Sequence, residues 1–139
     1  MPEEKVLLLH EETTGLVLKA FYHVYNALGY GFSEHVYENA MVIALRKLGL
    51  KVEQQKEITV YYEGEAVGFF KADLLVSNLV VVELKAAKAL DDEHEAQLLN
   101  YLKATTYEVG QLLNFGPKPE RVRRAYSNIN KGSLSWTHP

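Results

Sequence analysis

The 139-residue sequence contains no cysteine. That absence excludes disulfides, cysteine-bound zinc and iron–sulfur clusters. It suits a reducing compartment, and the expectation is a cytoplasmic protein. Long apolar runs are missing too. No stretch approaches the ~20 residues needed to cross a bilayer, so no membrane partner is expected. The N-terminal MPEEKVLLLHEE has one short apolar run among acids, not the basic start and long apolar core of a signal peptide. Net positive charge is also lacking: 15 Lys and Arg against 18 Asp and Glu give −3, which excludes a generically basic nucleic-acid binder. A polyanion partner would need a local patch, for which Lys118, Arg121, Arg123 and Arg124 are the obvious residues, or a bound cation. No repeat, low-complexity segment or linker divides the chain, and its length is that of one domain over 1–139.

What is present is an ordinary globular composition, 47% hydrophobic and 24% charged, with clear local periodicities. Leu16, Val17, Ala20, Phe21, Val24 and Leu28 recur at helical spacing over about 11–28, and Gly29 supplies a stop. Ser33 is a plausible N-cap for a second helix to about Leu48. Strands are expected over Lys51–Tyr62, Val67–Val76 and Leu79–Lys85, with turns at Glu63-Gly64-Glu65 and Ser77-Asn78. The third reads Leu-Val-Val-Val, apolar on successive residues, as a central strand covered on both faces does. A helix over about Asp91–Ala104 and a strand over Val109–Phe115 follow, before Gly116-Pro117-Lys118-Pro119 breaks the pattern. The order α-α-β-β-β-α-β predicts an α/β domain with a mixed central sheet flanked by helices. Its core is expected over about 14–116, with 117–139 a polar tail that carries at most one more short strand.

The informative residues are the polar ones inside apolar strands, because a buried charge costs several kcal/mol unless it is paired or metal-bound. Asp73 interrupts the second strand, and Glu83 and Lys85 end the third. Residues two apart share a face, so Glu83 and Lys85 point the same way. Asp73 joins them only if the hairpin has a three-residue turn, Ser77 to Leu79, which sets Asp73 opposite Glu83; a two-residue turn would set it opposite Val82. Facing carboxylates repel without a cation, so the odd register, or a bulge, is expected together with a metal ion. Two carboxylates are hard ligands suited to Mg²⁺ or Mn²⁺. Such a site is suited to hydrolysing a phosphodiester, with the lysine orienting water or stabilising charge.

Two further groups support a site. On the second helix Glu34 falls within the apolar stripe of Tyr37, Met41, Ala44, Leu45 and Leu48, so it is expected to point inward as a further metal contact, with Glu38 at the rim. On the third helix His94, Gln97 and Tyr101 share one face and read as a site wall that contacts substrate.

Taken together, these segments resemble a known family. Gly31-Phe32-Ser33-Glu34-His35-Val36-Tyr37 matches the signature of the GxxExxY proteins. Ala72-Asp73-Leu74-Leu75-Val76, Val82-Glu83-Leu84-Lys85-Ala86, the helix from His94 to Leu102, and Leu113-Asn114-Phe115-Gly116 follow in order. The similarity covers about Thr14 to Gly116. It implies a PD-(D/E)XK, restriction-endonuclease-like core, with Gln97-x-x-x-Tyr101 similar to the glutamine–tyrosine motif of RecB-type nucleases. By that resemblance Asp73, Glu83 and Lys85 are the catalytic set. Glu34, Asp73, Glu83 and the Leu84 carbonyl would hold Mg²⁺ or Mn²⁺, and no iron–sulfur cluster is possible. Tyr25 stands where many relatives have histidine. The expected function is a metal-dependent nuclease on DNA or RNA. The alternative is a non-catalytic nucleic-acid-binding or assembly subunit that keeps the fold. Leu7, Leu8, Leu9 and Trp136 could cover the core or a partner, such as a second copy in a homodimer.

Overall fold

The computed structural model describes residues 10–131. The leucines at 7–9 and Trp136 lie outside the described residues. Among the described residues, three helices and five strands form the fold: α1 (Glu11–Leu28), α2 (Glu34–Lys47), β1 (Val52–Tyr62), β2 (Glu65–Val76), β3 (Val80–Lys85), α3 (Asp92–Lys103), β4 (Val109–Phe115) and β5 (Pro119–Ala125). A 3-10 turn over Asn128–Lys131 follows. The expected order holds, with one correction. The sheet does not stop near Gly116, because β5 pairs along the whole of β4, from Val109↔Ala125 to Phe115↔Pro119. The Gly-Pro-Lys-Pro break is the turn of a hairpin, and Pro119, which has no N–H to give, sits at the start of an edge strand.

Strand order is β1-β2-β3-β4-β5. All neighbours are antiparallel except β3 and β4, which are parallel and joined through α3. One face of the sheet packs α1 and α2 through Val17, Phe21, Val24, Tyr37, Met41 and Leu45 against Val80, Val82, Leu84, Leu113 and Phe115. The other packs α3 through Leu98 against Val81, Leu75 and Leu112. The central Val-Val-Val of β3 is thus buried on both sides, as its composition requires. Gly110 lets α3 sit down on the sheet: a Cβ there would lie 2.7 Å from Leu98 Cδ1.

Two features of the β1–β2–β3 region position the residues of interest. First, β2 and β3 pair only at Leu74↔Val82, Leu75↔Val81 and Val76↔Val80. The turn is therefore the three-residue one, with Ser77 and Asn78 both at φ 55°. The strands then part. β2 runs on with β1 as a long hairpin, while β3 continues beside β4 to Lys85↔Asn114. Second, β1 and β2 exchange faces at one step. Val52, Leu74 and Val76 pack on the α1–α2 side, whereas Ile58, Phe70 and Ala72, of the same parity, pack on the α3 side. The step is at Gln55 and Asp73: Gln55 has φ 53° and drops out of a ladder that keeps one register on both sides of it, from Val52↔Val76 to Val60↔Gly68.

Candidate functional site

The fork between β2 and β3 falls where Asp73 and Glu83 stand. The Leu74↔Val82 pairing sets these acids at the next register position, as the odd turn requires. Where the ladder stops, the Asp73 side chain takes over: Oδ2 accepts from the Leu84 N–H at 2.8 Å. Glu83 is only 9% exposed, and its Oε1 has no hydrogen-bond partner. Burial first, and the Asp73 carboxylate second, push the Glu83 carboxyl up to about 9; Lys85 acts in the opposite sense but does not prevail. Glu83 therefore holds its proton at neutral pH when no cation is near. Lys85 lies half-buried on the same face of β3, and among the described residues it forms no ion pair.

On the side of α2 the roles of the two acids reverse expectation. Glu34 is exposed, while Glu38 is buried at 6%. The wheel angle of Glu34 is indeed that of the inward stripe, but Glu34 is the first residue of the helix, where its side chain is left in solvent. One turn further on, Glu38 is covered. Its Oε2 accepts from Gln54 Nε2 at 2.6 Å and its Oε1 from Gln55 Nε2 at 2.7 Å. Gln55 Nε2 also lies 3.3 Å from Asp73 Oδ1, so the glutamine bridges the two carboxylates. Holding a residue other than glycine in the left-handed region, as at Gln55, costs about 1 kcal/mol or more.

The residues present fit a divalent cation. A buried carboxyl oxygen lacks a partner, a second carboxylate faces it, and burial and that carboxylate together oppose a charge on Glu83. Among the described residues, however, no group of three or more His, Asp or Glu side chains stands at metal-binding distance. The acids form a pair, Asp73 and Glu83, with Glu38 linked to it through an amide.

A family model described as the PD-(D/E)XK nuclease superfamily matches residues 11–125. The chain belongs to the PD-(D/E)XK nuclease superfamily. No curated protein matches the sequence. Among solved structures, the crystal structure of SSO0001 is similar, with a TM-score of 0.52 and 17% identity over 88% of this chain. At that identity the likeness concerns the fold alone, and the chain spans 63% of the SSO0001 chain.

The helix on the other face of the superfamily sheet brings one of its three expected wall residues close to the acids. Tyr101 has its hydroxyl held above the ordinary value by burial and then by the charges of Glu83 and Asp73. Its ring stacks on Phe70 with centroids 3.6 Å apart and planes 2° from parallel. Gln97, one turn earlier, is exposed. His94 is engaged elsewhere. It is the third residue of α3, and its Nδ1 accepts from the Asp91 N–H at 3.2 Å while Asp91 Oδ1 accepts from the His94 N–H at 3.0 Å. This reciprocal pair closes the helix start, so the His94 ring caps α3 through Nδ1.

Strand alternation divides the three arginines read together in the sequence: Arg121 and Arg123, two apart, share the α1 side of β5, and Arg124 takes the opposite face. Arg121 lies over the Tyr22 ring of α1, 5.8 Å from its centroid, and Arg124 pairs with Glu95 of α3 on the opposite face. Tyr25 donates to the Gly116 carbonyl at 2.7 Å and ties α1 to the end of β4.

Periodicity did not reveal Gln55, Glu38, Phe70 or Asn114. The signal for Gln55 was the polar run Glu53-Gln54-Gln55-Lys56 inside a strand. Asn114 is fully buried, and its amide brackets Ala87, donating to the carbonyl at 3.0 Å and accepting from the N–H at 2.9 Å. It also donates to Glu120 at 2.9 Å, so the segment leaving Lys85 is fixed from β4. A Cβ at Gly116 would collide with the Ala87 carbonyl oxygen, which keeps that close approach open only to glycine.

Proposed function

We propose that this chain is a divalent-metal-dependent nuclease that hydrolyses phosphodiester bonds of DNA or RNA. The observation that carries the reading is the Glu83 carboxyl, buried and without a partner at Oε1, at the fork beside Asp73. Burying an acid next to another acid lowers stability unless a cation offsets it, so such a pair is kept where it has a task. The narrower resemblance to the GxxExxY proteins, through Gly31, Glu34 and Tyr37, supports the same reading.

Asp73 and Glu83, with the backbone carbonyl of Leu84, would hold Mg²⁺ or Mn²⁺. Of the two acids on α2, Glu38 is the one tied to Asp73, through the Gln55 amide, and would add negative charge beside the cation; Glu34, at the exposed helix start, would reach the site only from solvent. A bound cation supplies Lewis acidity, lowering the pKa of water and offsetting charge on the phosphate. The protein's own groups do the rest. Lys85, on the face of Glu83 and free of ion pairs among the described residues, orients the attacking water and stabilises the developing negative charge at the phosphate oxygens. Tyr101, held flat on Phe70, and Gln97 contact the nucleic acid, and His94 braces their helix.

The test is calorimetric titration of Mg²⁺ and Mn²⁺ into the wild type and Glu83→Ala, each then offered single- and double-stranded DNA and RNA. Metal uptake and cleavage that are both lost in the variant are the expected result. Nucleic-acid binding that persists in EDTA, with no cleavage under any metal, would sink the nuclease reading in favour of a non-catalytic binding subunit. The absence of a three-carboxylate cluster among the described residues is the observation that keeps this second reading in play.

A further inference from the structure

In a regular strand, consecutive side chains leave on opposite faces. Gln54 and Gln55 break this rule, for both reach the Glu38 carboxylate, at 2.6 and 2.7 Å. They do so because Gln55 adopts φ 53°, which turns its side chain to the side of its neighbour. Glycine or asparagine would occupy that backbone conformation with less strain. What glutamine adds is an amide on a two-carbon stem, long enough to span from Glu38 Oε1 to Asp73 Oδ1, at 3.3 Å.

We propose that Gln55 is a positioning residue for Asp73, fixing that carboxylate in a single orientation before a divalent cation arrives. The inference rests on the metal-dependent reading above and deepens it. Asp73 has one donor on each oxygen, the Leu84 N–H on Oδ2 and the Gln55 amide on Oδ1. An ionised carboxylate oxygen has two lone pairs, so one on each remains for a cation. The choice of a neutral donor matters. A lysine or arginine at position 55 would satisfy the same oxygens but compete with the cation for their charge, whereas an amide orients without neutralising. Glu38 in turn anchors the amide, and being buried with both oxygens engaged it cannot easily swing away. That the whole arrangement is aimed at a ligand has an independent sign across the fork, where Glu83, nine-tenths buried, leaves Oε1 without a partner. Partners that orient ligands in this way are worth roughly 10- to 100-fold in metal affinity.

The test uses the full chain with Mn²⁺ as the probe. Affinity and the electron paramagnetic resonance line shape of the bound ion are measured for the wild type, Gln55→Gly and Gln55→Asn, and thermal unfolding of each is followed in EDTA. Gln55→Gly should bind Mn²⁺ about tenfold or more weakly with an altered line shape, while unfolding at the same or a higher temperature because glycine relieves the backbone. Gln55→Asn keeps the amide and tolerates the backbone but is one methylene short, and should lose affinity likewise. A glutamine that mattered only for folding would give the reverse, lower unfolding temperatures with unchanged Mn²⁺ affinity, and that outcome overturns the proposal. Wild-type affinity in Gln55→Asn would also overturn it, since the bridge would then be dispensable. If the wild type itself takes up no Mn²⁺, the metal reading falls and this inference with it, whereas uptake that is equal in all three proteins removes only the role of Gln55.

Discussion

Two neighbouring regions at one end of the sheet, where β3 and β4 run parallel to Lys85↔Asn114, are built on opposite terms. At the C-terminal end of β4, Phe115 is stacked on Tyr37, with centroids 4.2 Å apart, and edge-on to Phe21 at 4.8 Å. The Tyr37 hydroxyl donates to the Gly29 carbonyl at 2.5 Å, and that of Tyr25 to Gly116. Every ring there is packed and every polar tip is satisfied, as a region that holds a fold together should be. At the β2–β3 fork the strands part, a residue sits in the left-handed region, and a buried acid has an oxygen with no partner. The aromatic region spends its residues on stability, and the fork keeps its polar groups unspent. The lesson is that departures from good packing mark the functional region more clearly than any single residue type.

The comparison breaks most visibly at the aromatic region. Phe115→Ala removes a fully buried ring that touches three others, and should cost about 3–5 kcal/mol in urea unfolding, with or without metal. Asn114→Ala leaves the Ala87 carbonyl and N–H without their buried partner; about 2–3 kcal/mol of stability should be lost, and cleavage should fall with it as the segment after Lys85 loosens.

The fork should answer in the opposite direction. Because the folded Glu83 carboxyl titrates at about 9 and an ordinary glutamate near 4.5, the native state holds a proton that the unfolded state has released. The contribution of Glu83 to metal-free stability is therefore full below about 4.5 and is lost as pH rises to about 9. Unfolding midpoints in EDTA across that range should show the decline in the wild type and lose most of it in Glu83→Gln, which should be the more stable protein at pH 8 by roughly 1–3 kcal/mol. Mg²⁺ should restore the wild type and leave the variant unchanged. A variant less stable than the wild type at pH 8 would show that Glu83 is a structural acid. The smallest effect is expected at the wall: Tyr101→Phe keeps the stack on Phe70, so its stability should stay within about 0.5 kcal/mol, and a fall in cleavage would then report the hydroxyl alone.

Much of this was legible in the chain. The helix over Glu11–Leu28 and the strand over Val109–Phe115 have the bounds their periodicity implies, since both bury a continuous apolar pattern that has one solution. The hairpin register was legible from Asp73 and Glu83, which pointed to the three-residue turn, and the Val76↔Val80 pairing has that turn, with Ser77 and Asn78 in the left-handed region. β5 was not legible as a partner of β4, because a strand with Arg121, Arg123 and Arg124 among seven residues lacks the apolar alternation that marks one, and pairing rather than composition makes it a strand.

Local sequence determined the elements through β4 and their order, and singled out Asp73 and Glu83 as polar breaks in apolar strands, because hydrophobic periodicity and breakers act within a few residues along the chain. Tertiary structure alone decided which acid on α2 turns inward, that His94 caps a helix, and that Gln55 joins Glu38 to Asp73. Those outcomes depend on what covers a side chain and on a single backbone inversion, which pattern along the chain does not encode.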